Sequence, residues 1–175
     1  MPGYAAFLRG VSPMNLKMPV LKEALETVGF TDVRTLLSSG NVVFSGRRAA
    51  DSVIERKVEA AIEKHVGKKF GAIVRSIEEL QQLIDADPFK AFKLPAKAKR
   101  VVTFLRDVPA AKLTLPPERD GARILSLRGR ELLSAYERSD KGPVFMVLIE
   151  KTVGKALMTT RTWDTVLKVA KAGAS

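Results

Sequence analysis

One order of strands and helices occurs twice along this chain of 175 residues, and a repeat of that kind leaves few folds open. A short apolar run ends in Phe-Leu-Arg at Phe7–Arg9 and again at Phe104–Arg106. Arg75-Ser76 and Arg161-Thr162 each come before an amphipathic helical pattern. Chance similarity between apolar segments is the alternative. We favour duplication, because the order of the elements agrees as well as these matched residues.

Each copy contains strand, helix, strand, strand, helix and strand, followed by a further helix. In the first copy Ser39-Gly40 connects the two strands of a β-hairpin, since glycine accepts a positive φ at low cost. In the second copy Gly129 takes the place of Gly40. This is the split βαβ order of a ferredoxin-like plait. We therefore predict an α+β protein of two duplicated ferredoxin-like halves with antiparallel sheets, at residues 1–88 and 99–175, the second including the closing helix.

Local sequence patterns predict where helices begin, which helix face is exposed to solvent and where a helix is weak. Ser52-x-x-Glu55 and Ser76-x-x-Glu79 are capping boxes, each placed before an apolar stripe. Glu55, Glu59 and Glu63 are spaced as one solvated helix face. In the second copy, Pro109–Leu113 predicts only a weak helical turn.

The charge of the chain is strongly positive. Thirty Lys and Arg residues against nineteen Asp and Glu residues give a net charge of +11 and a pI of about 10.1. Such a field attracts anions, including nucleic acid. Lys90–Arg100 carries five basic residues and no acid, and Lys151–Ser175 carries five against Asp164 alone. The alternative is a basic solvated surface without a partner.

Several classes of site and location are excluded or disfavoured. The chain has no cysteine, which excludes disulfides, zinc-thiolate sites, iron–sulfur centres and thiol nucleophiles. No phosphate-loop, dinucleotide or zinc motif occurs, and the single histidine, His65, has no metal-spaced partner, so we predict neither a cofactor nor a metal. No apolar run is long enough to cross a bilayer, and Met1–Gly10 lacks the features of a secretory signal. We expect a cytoplasmic protein without membrane contact.

Four segments carry a family resemblance: Phe7–Gly10, Gly29–Thr35, Ser38–Phe44 and Thr159–Val166. Together they resemble the bacterial family catalogued as domain of unknown function 1697. The resemblance implies a cytoplasmic α+β protein with two plait-like halves and no established activity. The chain departs from the family after Gly10, where the loop lacks the usual pair of glycines.

Candidate ligand-binding residues lie in or beside these segments: Arg9, Asn15, Ser38, Ser39, Asn41, Thr160 and Arg161. An arginine that follows a strand beside a helix N-terminus can bind a phosphate or a carboxylate. The pattern places four arginines after strands: Arg9, Arg75, Arg106 and Arg161. Turn chemistry alone is the alternative for the serines and Asn41, and a core anchor is the alternative to a pocket wall for Trp163.

Two functions of different classes remain open. The first is a binding protein for an anionic ligand, with nucleic acid to be tested first. The alternative is a small cofactor-free enzyme acting on a phosphorylated or nucleotide-like substrate between the halves, where Arg9, Asn41 and Arg161 would orient the substrate. Tyr4, Phe7 and Phe44 are the candidates for stacking bases on a sheet, although strand burial explains them equally well. A homodimer through an exposed sheet edge is a third possibility.

Overall fold

The structure is a computed structural model. It describes residues 1–109, 114, 118–138, 144–154 and 156–175. The helical turn expected at Pro109–Leu113 lies outside these residues, apart from Pro109. The contacts divide the chain into two units: Met1–Asp85 with Leu167–Ser175, and Ala86–Val166. The end of the closing helix therefore groups with the first unit, and the residues between 88 and 99 group with the second.

The first unit contains a four-stranded antiparallel sheet and three complete helices. Its elements in chain order are β1 (Gly3–Leu8), α1 (Met18–Thr27), β2 (Thr31–Leu36), β3 (Asn41–Ser45), α2 (Asp51–Val66), β4 (Ala72–Ser76) and α3 (Ile77–Asp85). The strands lie in the order β2-β3-β1-β4, so that β1 and β3 are central. This is the strand order of a ferredoxin-like plait read from the β2 edge.

Apolar residues cover both faces of the central strand β1. Tyr4, Ala6 and Leu8 face the core beneath α1 and α2, together with Val42 and Phe44 of β3. The alternate residues Ala5 and Phe7 are also completely buried. A strand buried on both faces is apolar throughout, which explains the continuous apolar run in the sequence.

The helices α2 and α3 begin in different ways. Ala50 is the N-cap residue of α2 and no side chain caps that helix, so the capping box predicted at Ser52 is wrong. The predicted cap of α3 is confirmed, because Ser76 Oγ accepts the Glu79 backbone N–H at 3.0 Å.

Glu55 of α2 points into the protein and not into solvent. The residue is only 1% exposed, and its Oε2 accepts the backbone N–H of Val74 at 2.9 Å. Glu59, one turn later, accepts the Ala72 N–H at 3.3 Å. The prediction of a solvated glutamate face is therefore wrong for Glu55, since two carboxylates satisfy amides of the edge strand β4.

The second unit repeats the sheet of the first. Its elements are β5 (Lys99–Leu105), β6 (Ala122–Arg128), β7 (Glu131–Tyr136), α4 (Val144–Val153), β8 (Met158–Thr162) and the start of α5 (Trp163–Ala174). The strands lie in the order β6-β7-β5-β8 and all pair antiparallel. The prediction of an α+β protein with two ferredoxin-like antiparallel sheets is confirmed.

Equivalent backbone hydrogen bonds support the duplication and correct one of the matches. The Leu8 N–H donates to Gly40 O at 2.8 Å, and the Leu105 N–H donates to Arg130 O at 2.8 Å. The position equivalent to Gly40 is therefore Arg130, so the match to Gly129 is wrong by one residue. In the same way Arg9 N–H donates to Gly71 O and Arg106 N–H donates to Leu157 O.

The first hairpin has a longer turn than the sequence predicts. Leu36 pairs with Asn41, so the connection is the four residues Leu37–Gly40 and not Ser39-Gly40 alone. Gly40 has a φ of +86°, and a Cβ there would lie 3.0 Å from the Cβ atoms of Leu8 and Val11. Glycine is therefore required both by the backbone conformation and by the close approach of β1.

No helix within the described part of the chain is long and apolar enough to cross a membrane.

Candidate functional site

Three of the candidate residues lie at one end of the first sheet. Arg9 follows β1 and is exposed, and Ser38 and Ser39 are exposed in the hairpin turn. The hydrogen bonds of Leu8 to Gly40 and of Arg9 to Gly71 hold the turn and the start of β4 beside the end of β1. The fold thus brings Arg9 to the same sheet end as the serine turn.

Asn15 organises the loop that follows Arg9. Its Oδ1 accepts the Ser12 backbone N–H at 2.8 Å, and its Nδ2 donates to Gly10 O at 2.7 Å. Both ends of the amide are therefore used to close the loop. These bonds account for an asparagine here without a ligand, and the binding role of Asn15 stays a prediction.

Asn41 is completely buried at the start of β3. Its Nδ2 donates to Leu36 O and to Ser39 Oγ, each at 3.1 Å. The side chain therefore joins the two ends of the hairpin turn. Turn chemistry accounts for Asn41, and of the polar residues in this turn Ser38 and Ser39 are the ones accessible to a ligand.

Thr160 and Arg161 are neighbours in β8, so their side chains lie on opposite faces of the second sheet. Thr160 Oγ1 lies 3.0 Å from Thr103 Oγ1 of β5. Arg161 Nη1 donates to Thr159 Oγ1 at 2.6 Å and to Thr160 O at 2.9 Å. The guanidinium therefore shares a face with Thr159, and the two candidate side chains do not form one cluster.

Burial changes the acidity of Arg161. Desolvation lowers the pKa of its guanidinium from 12.5 to about 10. The folded pKa is still far above neutrality, so Arg161 carries its full positive charge under physiological conditions. Hydrogen bonds to Thr159 and Thr160 hold this partly buried cation and position it in the strand.

Arg75 and Arg161 are equivalent residues of the two sheets. Arg75 pairs with Ala5 of β1, and Arg161 pairs with Val102 at the equivalent position of β5. In each residue Nη1 donates to the carbonyl oxygen of the preceding residue, at 3.0 Å and 2.9 Å. Both arginines lie within strands, so the expectation that they follow strands is wrong, whereas it is confirmed for Arg9 and Arg106.

The enzyme hypothesis places Arg9, Asn41 and Arg161 around one substrate. Arg9 and Asn41 belong to the first unit and Arg161 belongs to the second. Their convergence stays a prediction. Within the first unit, the Asn41 amide already donates to its own turn.

The aromatic residues proposed for base stacking are buried. Tyr4, Phe7 and Phe44 are each at most 2% exposed, so they cannot offer a ring to a base on the sheet surface. Trp163 is half-buried and packs edge-on against Phe89, with 5.1 Å between the ring centroids. Packing against a buried ring agrees with the core-anchor interpretation of Trp163.

The basic stretch Lys90–Arg100 forms an ordered surface segment of the second unit. Its lysines are exposed: Lys90, Lys93, Lys97 and Lys99. Backbone hydrogen bonds form successive turns, from Lys90 to Asp87, from Phe92 to Phe89 and from Ala98 to Pro95. The Arg123 guanidinium of β6 lies 5.7 Å from the centre of the Phe92 ring. Sequence reasoning missed this contact, because nothing local connects residues so far apart in the chain.

A pocket of about 260 Å³ lies beside this segment in the second unit. Two basic residues, Lys93 and Arg123, and two acidic residues, Glu118 and Glu137, line it. A second pocket, of about 310 Å³, lies against Phe70 in the first unit and also has lining residues of both signs. Neither pocket is lined by any of the seven candidate residues.

His65 lies on α2 with its Nε2 3.6 Å from Glu23 Oε2 of α1. In the described ranges, no group of three His, Cys, Asp or Glu side chains is placed to hold a metal ion.

The comparisons with known proteins identify the family. A family model described as "Protein of unknown function (DUF1697)" matches residues 1–132. The chain belongs to the DUF1697 family. The matched region includes the first three segments of the resemblance, and Thr159–Val166 lies beyond it.

Among solved structures, the DUF1697 chain is similar to the conserved bacterial protein SP0830 from Streptococcus pneumoniae. The TM-score is 0.60 at 18% sequence identity, and the match covers 98% of each chain. At this identity the likeness supports the fold alone. No curated protein matches the chain.

Proposed function

We propose that this DUF1697 protein binds an anionic ligand, and that the ligand is nucleic acid. The observation that supports the proposal is the set of exposed lysines in the turns of the basic segment and at the start of β5: Lys90, Lys93, Lys97 and Lys99. No acidic residue interrupts them in the sequence. The lysines therefore form a local positive surface on a chain whose net charge is already +11.

The order of this segment favours binding. Turn hydrogen bonds fix the backbone that carries Lys90 and Lys97, and β5 fixes Lys99. A preorganised segment loses less conformational entropy on binding than a free chain does. Lysine ammonium groups along such a segment can contact phosphates of a strand and release its condensed counterions.

The proposal predicts a steep dependence of binding on salt. Fluorescence anisotropy with labelled oligothymidylate and with a labelled duplex, each titrated at several salt concentrations, measures this dependence. Replacing Lys90, Lys97 and Lys99 with Gln should lower the affinity for the single strand. It should also reduce the slope of log affinity against log salt by roughly 2.

The matched control is the triple variant Lys17→Gln, Lys22→Gln and Lys64→Gln in the first unit. All three lysines are exposed, and the two triple variants have the same net charge. The control should lose much less affinity, because its lysines are not part of the basic segment. Affinity that does not change with salt, or equal losses in the two variants, would overturn the proposal.

A further inference from the structure

We propose that the pocket lined by Lys93, Arg123, Glu118 and Glu137 binds a guanine base of a single-stranded nucleic acid. This inference rests on the proposed function and assigns a specific nucleotide contact to the basic segment. The pocket lies beside the segment and shares Lys93 with it. A strand whose phosphates contact the segment therefore reaches the pocket at Lys93, which belongs to both.

The charges of the pocket favour a base over a phosphate. Two cations and two carboxylates leave the described part of its lining with no net charge, and a carboxylate repels a phosphate. A nucleobase is neutral and has polar edges. We therefore assign the phosphates to the exposed lysines and the base to the pocket, whose lining has charges of both signs.

The remaining lining provides an apolar surface for a flat ring. Its described residues are Leu94, Pro95, Ala98, Gly121 and Ala135. Hydrogen bonds hold these walls, since Ala98 N–H donates to Pro95 O and Glu137 N–H donates to Gly121 O, each at 3.0 Å. At about 260 Å³ the pocket is slightly smaller than the usual range for drug-sized ligands, which suits a single base.

Arg123 offers a second way to hold a base. Arg123 lines the pocket, and its guanidinium lies over the half-buried Phe92 ring, 5.7 Å from the centroid. Bases of single strands commonly stack on guanidinium planes of this kind. The contact with Phe92 restricts the rotamers of Arg123 and so prepares the plane for stacking.

The two glutamates determine which base fits. Among the described residues neither the Glu118 nor the Glu137 carboxylate has a hydrogen-bond partner. The Watson–Crick edge of guanine presents two adjacent donors, N1–H and the 2-amino group, which match the two oxygens of a carboxylate. Adenine and cytosine present a single amino group beside an acceptor, and thymine presents one N–H between two carbonyl groups. A carboxylate therefore selects guanine.

The test compares labelled oligothymidylates that carry one central guanine, adenine, cytosine or hypoxanthine, measured by anisotropy with the full chain. We expect the guanine strand to bind about fivefold more tightly than plain oligothymidylate. Hypoxanthine, which lacks the 2-amino group, should lose most of that preference. Glu137→Gln should abolish the preference, while its affinity for plain oligothymidylate should not decrease.

Glu150→Gln is the matched control, since Glu150 is an exposed residue of α4 outside the pocket and the charge change is the same. Glu118→Gln is a second pocket variant. Salt-dependent binding with equal affinity for all four substituted strands overturns the guanine site and leaves the proposed function standing. A guanine preference that survives in both pocket variants also overturns it. Absence of any salt-dependent binding overturns the proposed function, and the guanine site with it.

Discussion

The carboxylate of Glu55 is the clearest case of one side chain that stabilises an element distant in sequence. It is buried and accepts the amide N–H of Val74, nineteen positions along the chain. Val74 is itself completely buried on the edge strand β4. A buried N–H without an acceptor is costly, so this glutamate is part of the core and not of the helix surface.

Replacing Glu55 with Ala should therefore destabilise the protein by about 2 kcal/mol, because the Val74 amide loses a charged acceptor. Urea denaturation followed by circular dichroism measures the change. Glu63→Ala on the same helix is the control, since that side chain is 48% exposed and its only ion pair with a described residue, to Lys69, is long at 4.0 Å. Equal destabilisation by the two substitutions would contradict the assigned role of Glu55.

At the scale of the element, the caps of α2 and α3 show how one pattern leads to two outcomes. Ser52 and Ser76 are each followed three residues later by a glutamate. Only Ser76 acts as a cap, because β4 ends directly before α3 and leaves Ser76 in the N-cap position. Ser52 lies within the first turn of α2, which begins at Asp51.

Ser76→Ala should accordingly destabilise the protein by about 1 kcal/mol, the usual cost of losing an N-cap side chain. Ser52→Ala should change the stability by less than about 0.5 kcal/mol, as expected for an exposed position without a cap. The midpoints of thermal unfolding distinguish the two. A loss of stability for Ser52→Ala as large as that for Ser76→Ala would indicate that Ser52 caps α2, and it would contradict the structure.

Both edge strands of the first sheet, β4 and β2, are protected against pairing with a further strand. Glu55 and Glu59 accept backbone amides on the outer side of β4. On the opposite edge the pairing of β2 shifts between Thr31 and Arg34, where Asp32 has a φ of +51°. Bulges and edge-capping carboxylates discourage pairing with another strand. A homodimer through the β4 edge would have to displace two carboxylates, and the dimer stays a prediction.

At the scale of the whole molecule, the C-terminal residues belong to the unit formed by the N-terminal sequence. Arg34 of β2 donates to Ser175 O at 2.9 Å, which holds the last residue in place. Gly173 of α5 lies against Ile77 of α3, where an added Cβ would come within 2.7 Å of Ile77 Cγ1. The first unit is therefore completed by residues that follow the second unit in sequence.

Gly173→Ala should destabilise the chain by about 2 kcal/mol, because the new methyl group overpacks the contact with Ile77. In an Ile77→Ala background the same substitution should be neutral or stabilising by up to about 1 kcal/mol, since alanine favours a helix more than glycine does. Urea denaturation of the four proteins in this double-mutant cycle gives the coupling energy. Additive effects would show that Gly173 and Ile77 are not packed together.

The sequence by itself determined the order of the described elements, the pairs of strands in the two hairpins, the duplication and the family. These features are encoded locally, in apolar periodicity, in turn residues and in matched positions such as Arg75 and Arg161. The position of Arg9 at a strand end and the position of the serines in a hairpin turn were predictable for the same reason, because strand ends and hairpin turns are local features.

Only the tertiary structure decided which polar side chains are used by the fold. Glu55 is buried because β4 packs beside α2, and no spacing within the helix indicates this. Asn41 is buried for a related reason, and Arg123 meets Phe92 only once the sheet places β6 beside the basic segment. The pocket with Glu118 and Glu137 likewise exists only after these segments meet. Burial and hydrogen-bond partners are properties of packed surfaces, and residues distant in sequence create them together.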